Sequence, residues 1–121
     1  MLDCANLTSA KLANSDLSDA WLRNTKLDRA DLSFANFRGA YVSGASLRRT
    51  NLNVARLSHA FFHTADLSGA TFQFAKLDST DLNGAKLRDA DLSLADMWGM
   101  KLFNADLTKA KLTFSILVGP T

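Results

Sequence analysis

Ala65-Asp66-Leu67-Ser68-Gly69 is the stretch that decides the fold, because the whole chain repeats this pentapeptide with substitutions. Every fifth residue counted from Leu67 is apolar, and Leu occupies 19 of the 24 such positions from 2 to 117. Two residues before each of them, Ala occupies 17 of the 23 positions from 5 to 115. No insertion breaks the phase, so the chain is one continuous internal repeat.

A period of five residues fits neither an α-helix nor a straight strand. On a helix a step of five turns the chain by about 500°, so the leucines would form no continuous apolar face. On a strand it is an odd step, so successive leucines would point to opposite sides. Within one unit, however, the Ala and the Leu are two residues apart and share a side. The pattern therefore predicts short extended segments joined by turns. If each turn rotates the chain by a quarter, coils of about 20 residues stack as a β-solenoid with Ala and Leu inside.

Two further units, Ala30-Asp31-Leu32-Ser33 and Ala90-Asp91-Leu92-Ser93, show the motif plainly. On these residues the chain resembles the pentapeptide repeat family, whose consensus runs small, Asp or Asn, Leu or Phe, then Ser, Thr or Arg, and often Gly. The resemblance covers essentially the whole chain and implies an all-β fold, a right-handed quadrilateral parallel β-helix. At a spacing of about 4.8 Å per coil, the length predicts about six coils and a rod about 29 Å long. We expect a single domain over residues 1–121, since no linker interrupts the repeat.

Composition gives little further direction. The chain has 14 basic and 12 acidic residues, a formal net charge of +2. The single Cys4 excludes an intramolecular disulfide. No apolar run approaches the roughly 20 residues of a membrane span, and no signal-peptide pattern precedes the first repeat. We therefore expect a soluble, cytoplasmic protein that does not contact a membrane.

The polar residues that resemble functional sites follow the repeat itself. Asp and Asn recur just before the central residue, where short side chains bond turn amides, so we interpret them as structural rather than metal-binding. His59 and His63 have a zinc-pair spacing, but that spacing aligns ligands on a helix and here a corner separates them. The glycines occupy the fifth position, where a turn favours positive φ. No nucleophile is paired with a base, so we expect no catalysis, no cofactor and no metal.

Two outward columns, formed by residues 20 apart, are unexpectedly apolar. One is Trp21, Tyr41 and Phe61. The other is Phe34, Val54, Phe74 and Leu94, continued by Phe114. Two interpretations fit: the side chains stabilise each other as ladders on adjacent coils, or they form a recognition surface.

Charge is also unevenly distributed, since no acidic residue lies between Asp31 and Asp66. That interval contains a candidate basic patch of Arg38, Arg48, Arg49 and Arg56. It is either part of a solvated surface of mixed charge or a docking site for an acidic partner.

The repeat becomes irregular at its C-terminal end, where apolar residues gather: Trp98, Met100, Phe103, Phe114, Ile116 and Val118. The terminal coil of a solenoid leaves backbone groups unpaired, so this end predicts a homodimer closed about a two-fold axis. The alternative is that these residues pack within their own coil and the protein is a monomer.

As a function, the sequence favours a non-enzymatic, rigid interaction or structural module with a protein partner that the sequence does not name. The alternative comes from the family resemblance: some members mimic DNA and inhibit or protect bacterial DNA gyrase. Such mimics are strongly negative, which this chain is not. Direct nucleic-acid binding through Arg48 and Arg49 is not expected, because the basic patch is small.

Overall fold

A computed structural model describes residues 1–116 of the chain. Parallel β-bridges join each residue that precedes a central position to the residue 20 further on, from Asn6↔Lys26 to Asp96↔Ile116. One turn follows each central residue, so each coil of 20 residues has four turns, and the described residues make nearly six coils. The predicted extended segments are shorter than strands: over residues 1–116 each is a single bridge residue, because a turn begins two residues later.

Hydrogen bonds hold the coils in register. The amide of Leu67 donates to the carbonyl of Lys86 in the next coil at 2.7 Å, and the amide of Asp66 donates to Ala45 in the previous coil at 2.9 Å. The amide of Ala70 donates back to Leu67 at 3.0 Å and closes the turn. This pattern recurs along the chain and pairs the backbone continuously, which fixes the spacing between coils.

The core is the shaft of the solenoid. The central residues from Leu22 to Leu92 are all fully buried, and the Ala beside them leave room for their side chains. Where Thr replaces Ala, as at Thr25, its hydroxyl donates to the carbonyl of Leu22 at 2.7 Å, so the buried polar group is satisfied. Burying one Leu stabilises by about 1.5–3 kcal/mol before entropy is subtracted, so the inward column is the main stabilising element.

Every turn requires a left-handed residue. The fifth residue of each unit from Cys4 to Phe114 has φ between 55° and 71°, whether or not it is glycine. The positive φ predicted for the glycines at this position is confirmed within residues 1–116; Gly69, for example, has φ of 70°. At each corner of the coil, therefore, the residue present either adopts positive φ easily, as glycine does, or adopts it at an energetic cost.

Candidate interaction surface

The first apolar column lies at bridge positions, with Trp21 paired to Tyr41 and Tyr41 to Phe61. The rings of Trp21 and Tyr41 meet edge to face with centroids 5.9 Å apart, and those of Tyr41 and Phe61 stack at 5.1 Å. The three side chains, which we call the aromatic ladder, are 41–44% exposed. Ring pairs of this kind contribute about 0.5–1.5 kcal/mol beyond their buried area, so the ladder has a structural reason to be apolar.

A cation extends the ladder at its lower end. The guanidinium of Arg23 lies 4.8 Å from the centroid of the Trp21 ring, within cation–π distance. Two nitrogens of Arg23 donate to one carboxylate oxygen of Asp3, at 3.0 and 2.6 Å. The Arg23 hydrogen bonds hold the pKa of Asp3 below its usual value. The guanidinium of Arg23 therefore covers one face of the Trp21 ring.

The second apolar column runs along one corner of the coil and consists of Phe34, Val54, Phe74 and Leu94, which we call the apolar ridge. All four have left-handed backbones, with φ of 59°, 62°, 59° and 64°. Phe34 and Phe74 are 58% and 60% exposed, more than any ring of the ladder, whereas Val54 and Leu94 are 37% and 41% exposed. Large side chains thus alternate with smaller ones along the corner.

The ridge places an apolar side chain on left-handed backbone at four successive coils, which no other corner does. A left-handed conformation costs a residue with a Cβ roughly 1–2 kcal/mol, and it is a genuine outlier for Val or Phe. The five described glycines of positive φ all lie in the other corner columns. The remaining members of those columns are Cys4 and polar residues, several of them Asn or Asp, such as Asn24, Asp19 and Asp89. Arg29 and Arg49 on successive coils, and Thr64, also have positive φ, but they are polar; the ridge is distinguished because its left-handed residues are all apolar.

Among residues 1–116, no contact between aromatic rings offsets the cost of the left-handed backbone at the ridge. Phe34 and Phe74 are two coils apart with Val54 between them, and among the described residues no aromatic pair includes either ring. A shallow depression of about 400 Å³ lies beside Phe34 and Val54 and extends to Asn36 and Arg56. Along this corner the exposed rings of Phe34, Phe74 and Phe114 therefore alternate with the less exposed Val54 and Leu94.

The two flanks of the ridge differ in charge. On one flank the bridge Arg56↔Lys76 stacks two cations on adjacent coils, with Asp96 above them. On the other flank the side chains are uncharged: Ser33, Asn53, Gln73 and Ser93. Most of this second flank is bonded within the protein; the backbone amide of Gln73, for example, donates to Asn53 Oδ1 at 2.9 Å, and its side-chain amide donates to Asp91 Oδ2 at 3.0 Å. The exposed charge beside the ridge is thus mainly positive at the levels of Val54 and Phe74.

The repeat, its register and its turns correspond to a known family. A family model described as pentapeptide repeats (8 copies) matches residues 2–33, 15–53, 45–84 and 80–117. The chain belongs to the pentapeptide repeat family. The family predicted from the motif is thereby confirmed, and the fold is that of a right-handed β-helix solenoid.

Solved structures of other pentapeptide repeat proteins are similar. Rfr23 from the cyanobacterium Cyanothece 51142 is 32% identical, with a TM-score of 0.74, over 75% of this chain and 63% of its own. A protein of the Arabidopsis thaliana thylakoid lumen is 30% identical, with a TM-score of 0.73, over 74% and 63%. This chain therefore spans less than two thirds of the length of either relative.

A trypsin-treated form of QnrB1, a plasmid-mediated fluoroquinolone resistance protein, is 18% identical with a TM-score of 0.51 over 91% of this chain and 71% of its own. At that identity it shares the fold alone. No curated protein matches this pentapeptide repeat protein significantly.

The four arginines predicted as a basic patch do not lie together. Arg48 and Arg49 line a depression with Arg29, which the sequence analysis did not single out. Arg38 lines another depression, and Arg56 lies beside the ridge. The patch was predicted from an interval along the chain, whereas a spacing of 20 residues would have grouped Arg29 with Arg49. Arg48 also donates to Asp28 at 2.8 Å, so part of the charge is paired.

Residues predicted for the dimer end surround the last coil on several sides. Phe103 and Phe114 are 75% and 84% exposed, and Trp98 and Ile116 about half, whereas Met100 is partly buried against the core. Val118 lies outside the described residues. The inward leucines of this coil were not predicted to contribute to this end: Leu112 is 38% exposed, in contrast to the fully buried Leu92 below it. A terminal coil leaves its core residues uncovered on one side, which the repeat pattern alone does not show.

The recurring Asp and Asn residues act as predicted for a structural role. All ten accept a hydrogen bond from the amide two residues on: Asn6, Asp16, Asp31, Asn36, Asn51, Asp66, Asp81, Asp91, Asp96 and Asp106. The hydrogen bonds from Ser33 hold the pKa of Asp31 below its usual value. At Asp28 burial favours a higher pKa, but bonds from Arg48 and Ser46 outweigh it and the net shift is downward.

Residues 1–116 show neither a metal-ligand cluster nor a membrane-spanning helix. In this part of the chain no group of three or more metal-ligating side chains comes together. Nor does it contain a helix with the length and apolarity that a membrane span needs.

Proposed function

We propose that this pentapeptide repeat protein is a non-enzymatic, rigid interaction module that binds a protein partner through the apolar ridge. The observation that carries the proposal is the row of exposed Phe34, Val54, Phe74 and Leu94 on left-handed backbone. Contiguous exposed apolar surface commonly marks a binding site, and backbone strain concentrates at functional positions. The paired coils hold the ridge at a fixed spacing, which reduces the entropy lost on binding.

The aromatic ladder is a weaker candidate for the same role. Trp21, Tyr41 and Phe61 contact one another, and Arg23 covers part of Trp21. Their apolar character is therefore explained by contacts within the protein. We assign the ladder a structural role and the ridge the binding role.

A pull-down with quantitative mass spectrometry tests this assignment. The wild-type protein and the Phe34→Ser, Phe74→Ser double variant serve as baits, with Tyr41→Ser as the matched control on the ladder. We expect specific partners to be lost with the ridge variant and kept with Tyr41→Ser. Partners retained equally by both variants would count against the ridge.

We also propose that the protein forms a homodimer through its C-terminal coil. Support comes from the exposed Phe103, Phe114 and Ile116 and from the partly uncovered Leu112. Light scattering at tens of micromolar tests it. We expect a mass of about twice 13.2 kDa that reverts to the monomer with Ile116→Asp; a monomeric wild type would exclude the dimer.

The gyrase alternative has less support. Its basis is the family and the fold shared with QnrB1, and an identity of 18% supports a shared fold but not a shared function. A net charge of +2 and the stacked Arg56 and Lys76 oppose binding at a site for DNA phosphates. A gyrase supercoiling assay with micromolar protein decides between the two: inhibition or protection would favour the alternative, and no effect would dismiss it.

A further inference from the structure

We infer that the apolar ridge is a docking site for an amphipathic α-helix of a partner protein, with acidic residues on the side of that helix that faces Arg56 and Lys76. The inference rests on the proposed function and names the chemistry of the partner at the same surface. It follows from the spacing of the ridge and from the charge of its flank.

The spacing of the side chains along the ridge favours an α-helix as the bound element. Phe34 and Phe74 are two coils apart, about 9.6 Å, and the same distance separates Val54 and Leu94, which are less exposed than the rings of Phe34, Phe74 and Phe114 above and below them. Residues seven apart on an α-helix are separated by about 10.5 Å, and tilting the helix by about 20–25° brings that distance to the spacing of Val54 and Leu94. Same-side residues of an extended strand are about 6.7 or 13 Å apart, so a strand would need a tilt of more than about 40° to reach this spacing. Two apolar side chains of a helix, seven residues apart, therefore fit over Val54 and Leu94.

The charge selects an acidic flank. Arg56 and Lys76 are bridge partners on adjacent coils, and neither forms an ion pair within 4 Å among the described residues. Like charges directly opposite each other on neighbouring backbone segments repel. A carboxylate of a bound helix placed beside Val54 and Phe74 would relieve this repulsion. Asp96 lies one coil higher, so the end of the helix near Leu94 should not be acidic.

A second copy of the chain fits the ridge less well. Two antiparallel ridges would place each Phe against a Val or Leu, which satisfies the shape. In the register that pairs Phe34 with Leu94 and Val54 with Phe74, they would also bring Arg56 of one copy against Lys76 of the other, which adds repulsion on that flank. The helix satisfies both the spacing and the charge.

The test is a selection from a phage-displayed library of helical peptides on the immobilised full chain, with counter-selection on the Phe34→Asn, Phe74→Asn variant. Asn tolerates positive φ, so this variant should keep its fold, which circular dichroism and the unfolding midpoint verify. We expect enriched peptides to carry large apolar residues seven apart and Asp or Glu beside them. Their affinity, measured by fluorescence anisotropy, should fall about tenfold or more with Phe74→Asn and remain unchanged with Tyr41→Asn.

A charge reversal completes the test. With Arg56→Glu and Lys76→Glu together, peptides whose acidic residues are replaced by Lys should bind better than the original peptides. The inference is overturned if no helical peptide is enriched, if enriched peptides bind the ridge variant equally, or if charge reversal has no effect. It is also overturned if the ridge itself dimerises the protein, seen as a doubled mass that Phe74→Asn returns to 13.2 kDa. Failure here, with natural partners still lost from the ridge variant, would leave the proposed function standing.

Discussion

The aromatic ladder and the apolar ridge are both columns of exposed apolar side chains, but they differ in the contacts that stabilise them. At the ladder, the rings of Trp21, Tyr41 and Phe61 contact each other at 5.1–5.9 Å from bridge positions. At the ridge, Phe34 and Phe74 stand more exposed on left-handed backbone and contact no other ring among residues 1–116. An exposed apolar column is therefore not evidence of binding in itself. The informative column is the one whose exposure its own packing does not explain.

The largest expected effect concerns the buried inward column, on which both outward columns depend. Leu67→Asp places a carboxylate in the closed shaft, where a charge has no partner, and should unfold the middle coils. Loss of β-structure in circular dichroism checks this, with the exposed His63→Asp as the control that stays folded. A folded Leu67→Asp protein would mean that the inward column does not carry the solenoid.

The next effect breaks the ladder alone. Tyr41→Ala removes two ring contacts and should lower the free energy of unfolding by about 1–3 kcal/mol in denaturant titrations. A double-mutant cycle with Phe61→Ala should give a coupling of about 0.5–1.5 kcal/mol, whereas the matched cycle of Val54 and Phe74 on the ridge should give less. Equal coupling in the two columns would remove the distinction between them.

Acid should weaken the solenoid without acting on either column. The hydrogen bonds that hold Asp16, Asp31 and Asp106 lower the pKa of each carboxyl in the folded state. Their contribution is present above about pH 4 and is lost as the pH falls through the lowered pKa values. Unfolding midpoints measured between pH 5 and pH 2 should therefore decline.

Asp31→Asn is the matched variant for the acid experiment. Its amide oxygen can still accept the turn hydrogen bond, as Asn36 does, so the variant should lose part of the pH dependence with little change at pH 7. The same acid dependence in this variant and the wild type would show that the Asp31 hydrogen bonds do not contribute.

Much of this structure could be predicted from the sequence because the repeat is local and strict. Ala65 and Leu67 are buried as the spacing predicts, and Asp66 bonds its own turn. The left-handed backbone at Val54 could not be predicted from that residue, since a β-branched side chain favours extended backbone. Closure of the coil sets φ at every corner and overrides the local preference. The division of the four arginines likewise depends on which side of the coil each one occupies.

The most direct measurement compares the unfolding midpoints of Phe74→Asn and Tyr41→Asn, two aromatic-to-Asn changes, one in each column. Asn suits the left-handed backbone at position 74. We therefore expect Phe74→Asn to unfold at the same denaturant concentration as the wild type or at a higher one, with the free energy of unfolding unchanged or raised by up to about 1 kcal/mol. Tyr41→Asn should be clearly destabilised. If Phe74→Asn loses as much stability as Tyr41→Asn, the ridge is held by packing like the ladder, and its assignment as the binding surface is contradicted.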